Sequence, residues 1–342
     1  MSQRNDIVSI AADEMQTLLY EILLRNKVPE QKAATCSHTF THSSLEGVYT
    51  HGINRFSRFV KYVQTGLINP DADPICSNSF RAVEQWDGQS GIGITNAFAS
   101  TARAVELAAE FGIGCVALRN TNHWMRAGTY ARQAALNGCA FMGWSNTIRN
   151  MPTWGATDPR LGNNPLTIGV PFGNDPIVLD MAMSQFSYGA LDSYRMKNEP
   201  LPVPGGFDEK GNFTTDPSQI LSTRRLLPVG YWKGAGLSLL LDMLATILSG
   251  GLSVSEISKQ SDETNLSQVF IAFNLHALKN RPAINDTLNT IIDDLRESVA
   301  SGEGSAVRYP GENVPTIRNR NLANGISVSV KVWEEVLSLA RQ

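Results

Sequence analysis

The stretch LTIGVPFGNDPIVLDMAM, residues 166–183, decides what kind of sheet this chain builds. Two apolar runs, 166–170 and 177–183, flank the turn residues Phe172-Gly173-Asn174-Asp175, which is the pattern of a β-hairpin. A hairpin joins antiparallel strands, so the pattern argues against a purely doubly wound parallel sheet. Asp180 interrupts the second run. An acid in an apolar strand needs partners, so it either caps a neighbouring turn or accepts from a ligand.

Outward from the hairpin, helix and strand signals alternate. Upstream, the spacing predicts a helix over 94–111, stopped by Gly112, a strand over 114–118, a helix over 128–137 and a strand over 139–144. Downstream, 199–217 carries three prolines and three glycines before Pro217 and reads as an irregular arm, either a lid or an interface element. An apolar helix to Leu248 follows Tyr231, then a strand over 269–275, a helix over 284–299, an irregular stretch over 308–324 and a last helix from Val330. The first seventy residues read as helices over 9–26, 29–46 and 53–66, with Ser9 as a candidate cap and no strand signal. Prolines Pro70 and Pro74 break the chain there, giving a domain boundary after residue 72.

The chain has 342 residues, 42% hydrophobic and 18% charged, with a formal charge of −3, as expected of a globular protein of two domains or one large one. No basic stripe suggests nucleic acid as a partner. The apolar helix around 237–248 is too short to span a bilayer and carries Asp242, so no membrane residence is expected. The start of the chain lacks the apolar core of a leader. Cys36, Cys76, Cys115 and Cys139 are scattered, which fits reduced thiols in a cytoplasm and neither a disulfide frame nor a zinc site; no metal is expected.

Chemistry concentrates in GVYTHGINRFSRFVKYVQTG, residues 47–66. Ile53, Phe56, Val60 and Val63 line one face of a helix that Gly66 stops, and His51 and Arg55 share a face if the first turn reaches back to His51. A proton donor, a guanidinium fork and a helix start that welcomes anions then lie together. Set alone, the same letters also fit a polar cap with a surface arginine. Asn122-His123-Trp124 falls in a strand-to-helix loop, where His123 either meets a ligand or bonds backbone, and Arg126 nearby either holds a carboxylate or is solvated. Lys233-Gly234-Ala235-Gly236 at a helix start fits a phosphate site and tight helix packing equally well. His38, His42 and His276 read as structural or surface groups. Gly112-Ile113-Gly114-Cys115-Val116-Ala117 has the letters of a dinucleotide fingerprint but the reverse context, helix before and strand after, and reads as a helix stop. No nucleophile elbow or zinc-protease motif is present.

Thr50-His51-Gly52 with Arg55, Asn122-His123, Gly162-Asn163-Asn164-Pro165 and Val178-Leu179-Asp180-Met181-Ala182 together resemble the malate/L-lactate dehydrogenase family, whose nucleotide fold is not of the Rossmann type. The resemblance runs over nearly the whole chain. It implies a mixed α/β fold: a helical domain formed by both chain ends, 1–72 with about 300–342, and a largely antiparallel-sheet domain over 73–299 that binds NAD or NADP. It further implies a homodimer that acts on a small 2-keto or 2-hydroxy acid, here of the sugar-acid type, with malate, lactate, sulfolactate or ureidoglycolate as alternatives. A nucleotide-binding scaffold without chemistry is a further alternative. By position, His51 corresponds to the family's proton donor, and the nucleotide contacts fall on Pro176, Ile177, Val178, Leu179, Asp180, Met181 and Ala182, on Trp232 and Lys233, and on Gly311, Glu312 and Asn313.

The mechanism expected is hydride from NADH to a ketone carbon and a proton from His51 to its oxygen. The helix start would lower the His51 pKa and a bound carboxylate would raise it. Arg55 would clamp that carboxylate, Thr50 bond the reacting oxygen, His123 position nicotinamide or substrate, and Arg126 read the far hydroxyls. The sequence departs from the family at Thr50 (usually serine), Asn163 (threonine), Met125-Arg126 (phenylalanine-glycine) and Glu312-Asn313 (histidine-glutamate).

Overall fold

The computed structural model describes residues 7–302 and 306–341. Residues 1–6, where the leader reading begins, and 303–305 and 342, within the expected C-terminal part of the helical domain, lie outside the described residues. The chain opens with a strand, β1 (Ile7–Ile10), then helices α1 (Ala12–Arg25) and α2 (Glu30–Leu45), a 3-10 turn (Tyr49–His51) and α3 (Ile53–Gln64). The middle runs β2 (Ile75–Phe80), β3 (Val83–Asp87), α4 (Gly93–Phe111), β4 (Ile113–Thr121), α5 (Gly128–Leu136) and β5 (Cys139–Ser145). Next come β6 (Met151–Pro152), β7 (Pro159–Leu161) and the hairpin β8 (Leu166–Val170) with β9 (Ile177–Met181). The arm holds α6 (Tyr188–Lys197), β10 (Gly206–Phe207), β11 (Phe213–Thr214) and α7 (Pro217–Thr223). It leads to α8 (Trp232–Ser249), α9 (Val254–Ile257) and β12 (Leu266–Asn274), and the chain closes with α10 (Ile284–Arg296), α11 (Val314–Asn324), β13 (Ile326–Ser329) and α12 (Val330–Ala340).

Seven strands form the central sheet in the order β2-β3-β4-β12-β5-β8-β9. Only β3 and β4 run parallel; every other neighbouring pair is antiparallel. The hairpin falls where the 166–183 pattern places it, with Leu166 opposite Met181 and Val170 opposite Ile177. Alternation along β4 shows how the sheet is sandwiched. Val116 and Leu118 enter the core beneath α4 and α5, whereas Cys115 and Ala117 enter the core on the other face, where Ala235, Leu241 and Ala245 of α8 pack. Gly112 ends α4 in the left-handed conformation at φ 85°, the C-terminal stop that the sequence predicts.

A third core joins the two chain ends. Met15, Leu19, Ile22 and Leu23 of α1 and Phe40 of α2 pack with Ile53, Phe56, Phe59 and Val60 of α3, and with Ile326, Val328, Trp333 and Val336 from the C-terminal end. Each of these side chains contributes about 1.5–3 kcal/mol by leaving water, so the two ends hold each other.

Several expectations are corrected. The N-terminal region contains a strand after all: β1 pairs antiparallel with β13, Ile7 opposite Ser329. The partner lies some 320 residues away, and nothing local in a four-residue run announces it. Helix α1 accordingly starts at Ala12, and the Ser9 hydroxyl donates to Asn324 O at 2.5 Å instead of capping a helix. The 308–324 stretch is not irregular throughout, because Pro315 sits in the first turn of α11, where its missing N–H costs nothing. The arm over 199–217 is mostly irregular as expected, with a two-residue ladder of β10 and β11 inside it. No helix among the described residues is long and apolar enough to cross a membrane.

Candidate active site

His51 closes the 3-10 turn and does not belong to α3; Gly52, at φ −108° and ψ −130°, separates them. This corrects the expectation of one continuous helix face. The site is instead fixed by a close approach: a β-carbon on Gly52 would meet Ser44 Oγ of α2 at 2.2 Å. Ser44 Oγ also accepts from Ile53 N at 2.8 Å, so the first free N–H of α3 is already occupied. The guanidinium of Arg55, one turn into α3, is therefore the stronger anion site here.

The His51 ring lies nearly parallel to His123, at 11° and 5.5 Å between centroids. His123 Nδ1 accepts from Met125 N at 2.9 Å, which leaves the ring hydrogen of the neutral imidazole on Nε2. Met125 takes φ 64° to close this tight loop. Thr50 Oγ1 stands 3.3 Å from His51 Nδ1, and Gly189 of α6 presses against Thr50, where a β-carbon would come within 1.8 Å of its methyl. Helix α6 thus packs against the turn that carries His51.

Burial and the Arg55 charge push the His51 pKa down to about 4; Glu263 works the other way, and Arg126 adds to the lowering. His123 is held well below the ordinary imidazole value by burial, then by Arg55, His51 and Arg58. Both rings are neutral at pH 7 in the free chain. The lowering expected from the helix start is produced by crowding and by Arg55.

A cleft of about 270 Å³ runs between α2, α5, β9 and the start of α11; Arg126 lines it, whereas His51, His123 and Arg55 are not among its lining residues. Pro176, Val178 and Asp180 face it, and Ile177, Leu179 and Met181 alternate away, Met181 into the core under α8. The contiguous run 176–182 therefore lines the cleft with every second side chain, and Ala182 lies beyond the strand. Asp180 Oδ2 accepts from Gly128 N at 2.7 Å, so it caps α5 from a neighbouring strand while open to the cleft. Burial raises its carboxyl pKa, against the pull of Gly128 N–H and Arg126.

Gly311, at φ 84°, brings its loop against β9, with space for a β-carbon only at 3.4 Å from Val178 O. Glu312 turns away to pair with Arg296 at 3.1 Å, and Asn313 opens α11; neither lines the cleft. Trp232 and Lys233 also lie outside it, exposed at the start of α8. Gly234 serves packing, since a β-carbon there would meet Val229 O at 2.2 Å, whereas Gly236 meets nothing.

The cleft wall holds residues that the sequence did not single out. Glu46, 2% exposed at its side chain, is gripped by Arg126 and by Arg318 at 2.6 Å, with His42 at 3.6 Å. Burial works to raise the Glu46 pKa, but Arg126, His42 and Arg318 overcome it. Arg318 also meets Asp175 at 3.3 Å, and Arg132 meets it at 3.7 Å. His38 and His42, read as structural or surface groups, line the cleft with their rings 5.4 Å apart. The i, i+4 spacing of His38, His42 and Glu46 on one helix was the available signal. Glu263, which receives Arg55 Nη2 at 2.9 Å, had none, because it sits in a polar loop 208 residues from its partner.

Residues 10–337 match the family model described as malate/L-lactate dehydrogenase, and the chain belongs to that family. Its fold superposes on malate dehydrogenase from Pyrococcus horikoshii OT3 (TM-score 0.89, 26% identity, 100% of this chain and 97% of that one). Sulfolactate dehydrogenase from Methanocaldococcus jannaschii is as similar (TM-score 0.89, 25% identity, 98% and 97%). The chain is an enzyme of the 2-hydroxyacid dehydrogenase and 2-keto acid reductase class, a class that works with a nicotinamide cofactor. Among its relatives is the 2,3-diketo-L-gulonate reductase of Escherichia coli strain K12, 43% identical over 334 residues, 97% of this chain and all of the relative.

Proposed function

We propose that the enzyme reduces 2,3-diketo-L-gulonate to 3-dehydro-L-gulonate with NADH, His51 donating the proton. The relative at 43% identity supports the substrate. The observation that carries the mechanism is that two groups from one short stretch act on each other, the Arg55 charge on the His51 imidazole, which stacks on His123. Sequence and cores also support the domain reading, with a helical domain from both chain ends beside a sheet domain that lies outside the doubly wound class.

The cleft suits one end of an extended dinucleotide. Its volume is small beside the roughly 300–1,000 Å³ of ligand pockets. Its floor is glycine and strand backbone, its walls are Phe98, Leu136 and Val178, and Arg126, Arg132 and Arg318 ring it. Pro176, Val178, Asp180 and Gly311 would hold the cofactor. When bound, the nicotinamide supplies the hydride.

The residues of the chain do the rest. Arg55 binds the substrate carboxylate and aims its carbonyl at His51. That anion, arriving beside an imidazole whose pKa lies near 4, draws a proton onto the ring, and the acid forms only when substrate is in place. Thr50 pins Nδ1 and leaves Nε2 to deliver the proton. His123, with Nδ1 already engaged, offers Nε2–H to the carbonyl oxygen or the carboxamide. Arg126, paired with Glu46 on the cleft wall, would read the distal hydroxyls of a sugar acid.

Two copies assemble in this reading, and the support is the outer face of α8. Leu237, Leu240, Leu244 and Ile247 are 41%, 56%, 44% and 71% exposed, an apolar stripe along one side of the helix. The assembly places Trp232 and Lys233 at the interface, and the enzyme works in the cytoplasm. A panel of 2-keto acids (diketogulonate, oxaloacetate, pyruvate, sulfopyruvate) with NADH and NADPH, followed at the cofactor's absorbance, tests the function. Fastest oxidation of NADH by diketogulonate is expected; a faster simple keto acid would move the enzyme to another branch.

A further inference from the structure

We infer that Glu263 is the positioning residue of the substrate-carboxylate site: it holds Arg55 by a single amino group, so that the other edge of the guanidinium stays open and aimed. The inference rests on the proposed roles of His51 and Arg55. Arg55 Nη2 donates to Glu263 Oε2 at 2.9 Å, and among the described residues Nε and Nη1 have no hydrogen-bond partner. A guanidinium presents two two-donor edges that share Nη2. Whichever Nη2 hydrogen Glu263 takes, one edge remains whole for a bidentate carboxylate.

The loop that carries Glu263 is itself tied down. Asp262 Oδ1 accepts from the Tyr62 hydroxyl at 2.9 Å, and Arg58 donates to the same hydroxyl from Nε at 3.0 Å. Gln260 Oε1 accepts from Thr264 Oγ1 at 2.9 Å and from Asn265 Nδ2 at 3.0 Å, which closes the loop on itself ahead of β12. Two successive acids thus grip α3 at positions 55 and 62, two turns apart, and the Glu263 side chain is only 10% exposed. A buried carboxylate with a single charged hydrogen bond is costly as mere stabilisation. Its return here is alignment of the Arg55 guanidinium.

Glu263 also supplies the negative charge at His51. The groups that face His51 are Arg55 from α3, Arg126 and His123 from the loop before α5, and Glu263; Tyr188 faces Glu263 from α6. Only Glu263 among these favours the protonated ring. Its removal makes His51 harder to protonate, so keto-acid reduction fades at lower pH than in the wild type.

The test is kinetics of Glu263→Gln, Glu263→Ala and Glu263→Asp with NADH and diketogulonate, alongside oxalate binding to the NADH complex and an NMR titration of the His51 ring. Glu263→Ala is expected to raise KM and the oxalate Kd about tenfold, with kcat falling no more than about threefold. Glu263→Gln keeps the hydrogen bond and loses the charge: KM rises less, while the titration of His51 and the falling limb of the pH profile move to lower pH. Glu263→Asp restores part of both. In an Arg55→Ala background, replacing Glu263 should leave KM unchanged. An inert His51→Ala with wild-type KM and pH profile in Glu263→Gln overturns this inference and leaves the proposed function standing. A fully active His51→Ala overturns the proposed function itself. Should Glu263→Ala fail to fold, Gln and Asp carry the same comparison.

Discussion

Helix α3 keeps its apolar residues on one face, and α8 spreads them over two. In α3, Ile53, Phe56, Phe59 and Val60 are buried, while Arg55 donates to the Glu263 carboxylate and Arg58 to the Tyr62 hydroxyl. In α8, Ala235, Ser238, Leu241 and Ala245 pack on the sheet, and Leu237, Leu240, Leu244 and Ile247 face water. A helix with one apolar side is satisfied by its own chain. One with two has a side to spare, which is why the proposed function gives chemistry to the first and assembly to the second. Breaking each helix should hurt a different property.

The largest effect belongs to the turn that leads into α3. His51→Ala should lower turnover by about two to four orders of magnitude and leave NADH binding nearly unchanged, which stopped-flow reduction and fluorescence titration will show. Near-normal turnover would remove the imidazole from the mechanism. Next is the outer face of α8: Leu240→Glu with Ile247→Glu should weaken self-association by about a hundredfold, read by analytical ultracentrifugation. An unchanged sedimentation profile would place any dimer contact elsewhere.

Arg55→Lys should raise KM for keto acids about tenfold with kcat less affected, because lysine has no planar fork. Equal kinetics would assign the carboxylate to another group. The last effect sharpens the chemistry of α3. With the His51 pKa near 4 in the free chain, the ring is unprotonated at pH 7, and an anion beside it favours the protonated form. Oxalate binding to the NADH complex should therefore take up a proton, and its affinity should fall about tenfold for each pH unit between the free-state pKa near 4 and the higher pKa of the bound state, levelling off above it. Calorimetry in two buffers of different ionisation enthalpy measures that uptake, and none at all would contradict it.

These contrasts also mark what the sequence reveals. The amphipathic period of α3, the stop at Gly112 and the hairpin over 166–181 were legible because each is a local pattern. β2 was not: its six residues, ICSNSF, are all exposed at the sheet edge, so no alternation marks them. β1 was missed because its partner is at the other end of the chain. At the site, His51, Arg55, Thr50 and His123 were visible as chemistry-bearing residues around turns, and the structure brings them together. Glu263 was hidden, since only the return of β12 through the middle of the sheet sets its loop against α3. The cofactor run 176–182 was legible as a stretch, but the pleat, which the stretch alone does not phase, chooses which half faces the cleft.

Gly52 sets how closely the His51 turn and α3 approach α2. The wall residues His42 and Glu46 flank Ser44 in sequence, and the imidazole and guanidinium flank Gly52, with a lone hydrogen of that glycine at the join. Wall and acid therefore travel as one rigid piece. A reshaped enzyme that needs a longer reach must lengthen the substrate side of the cleft, because any carbon added at this seam pushes both apart at once.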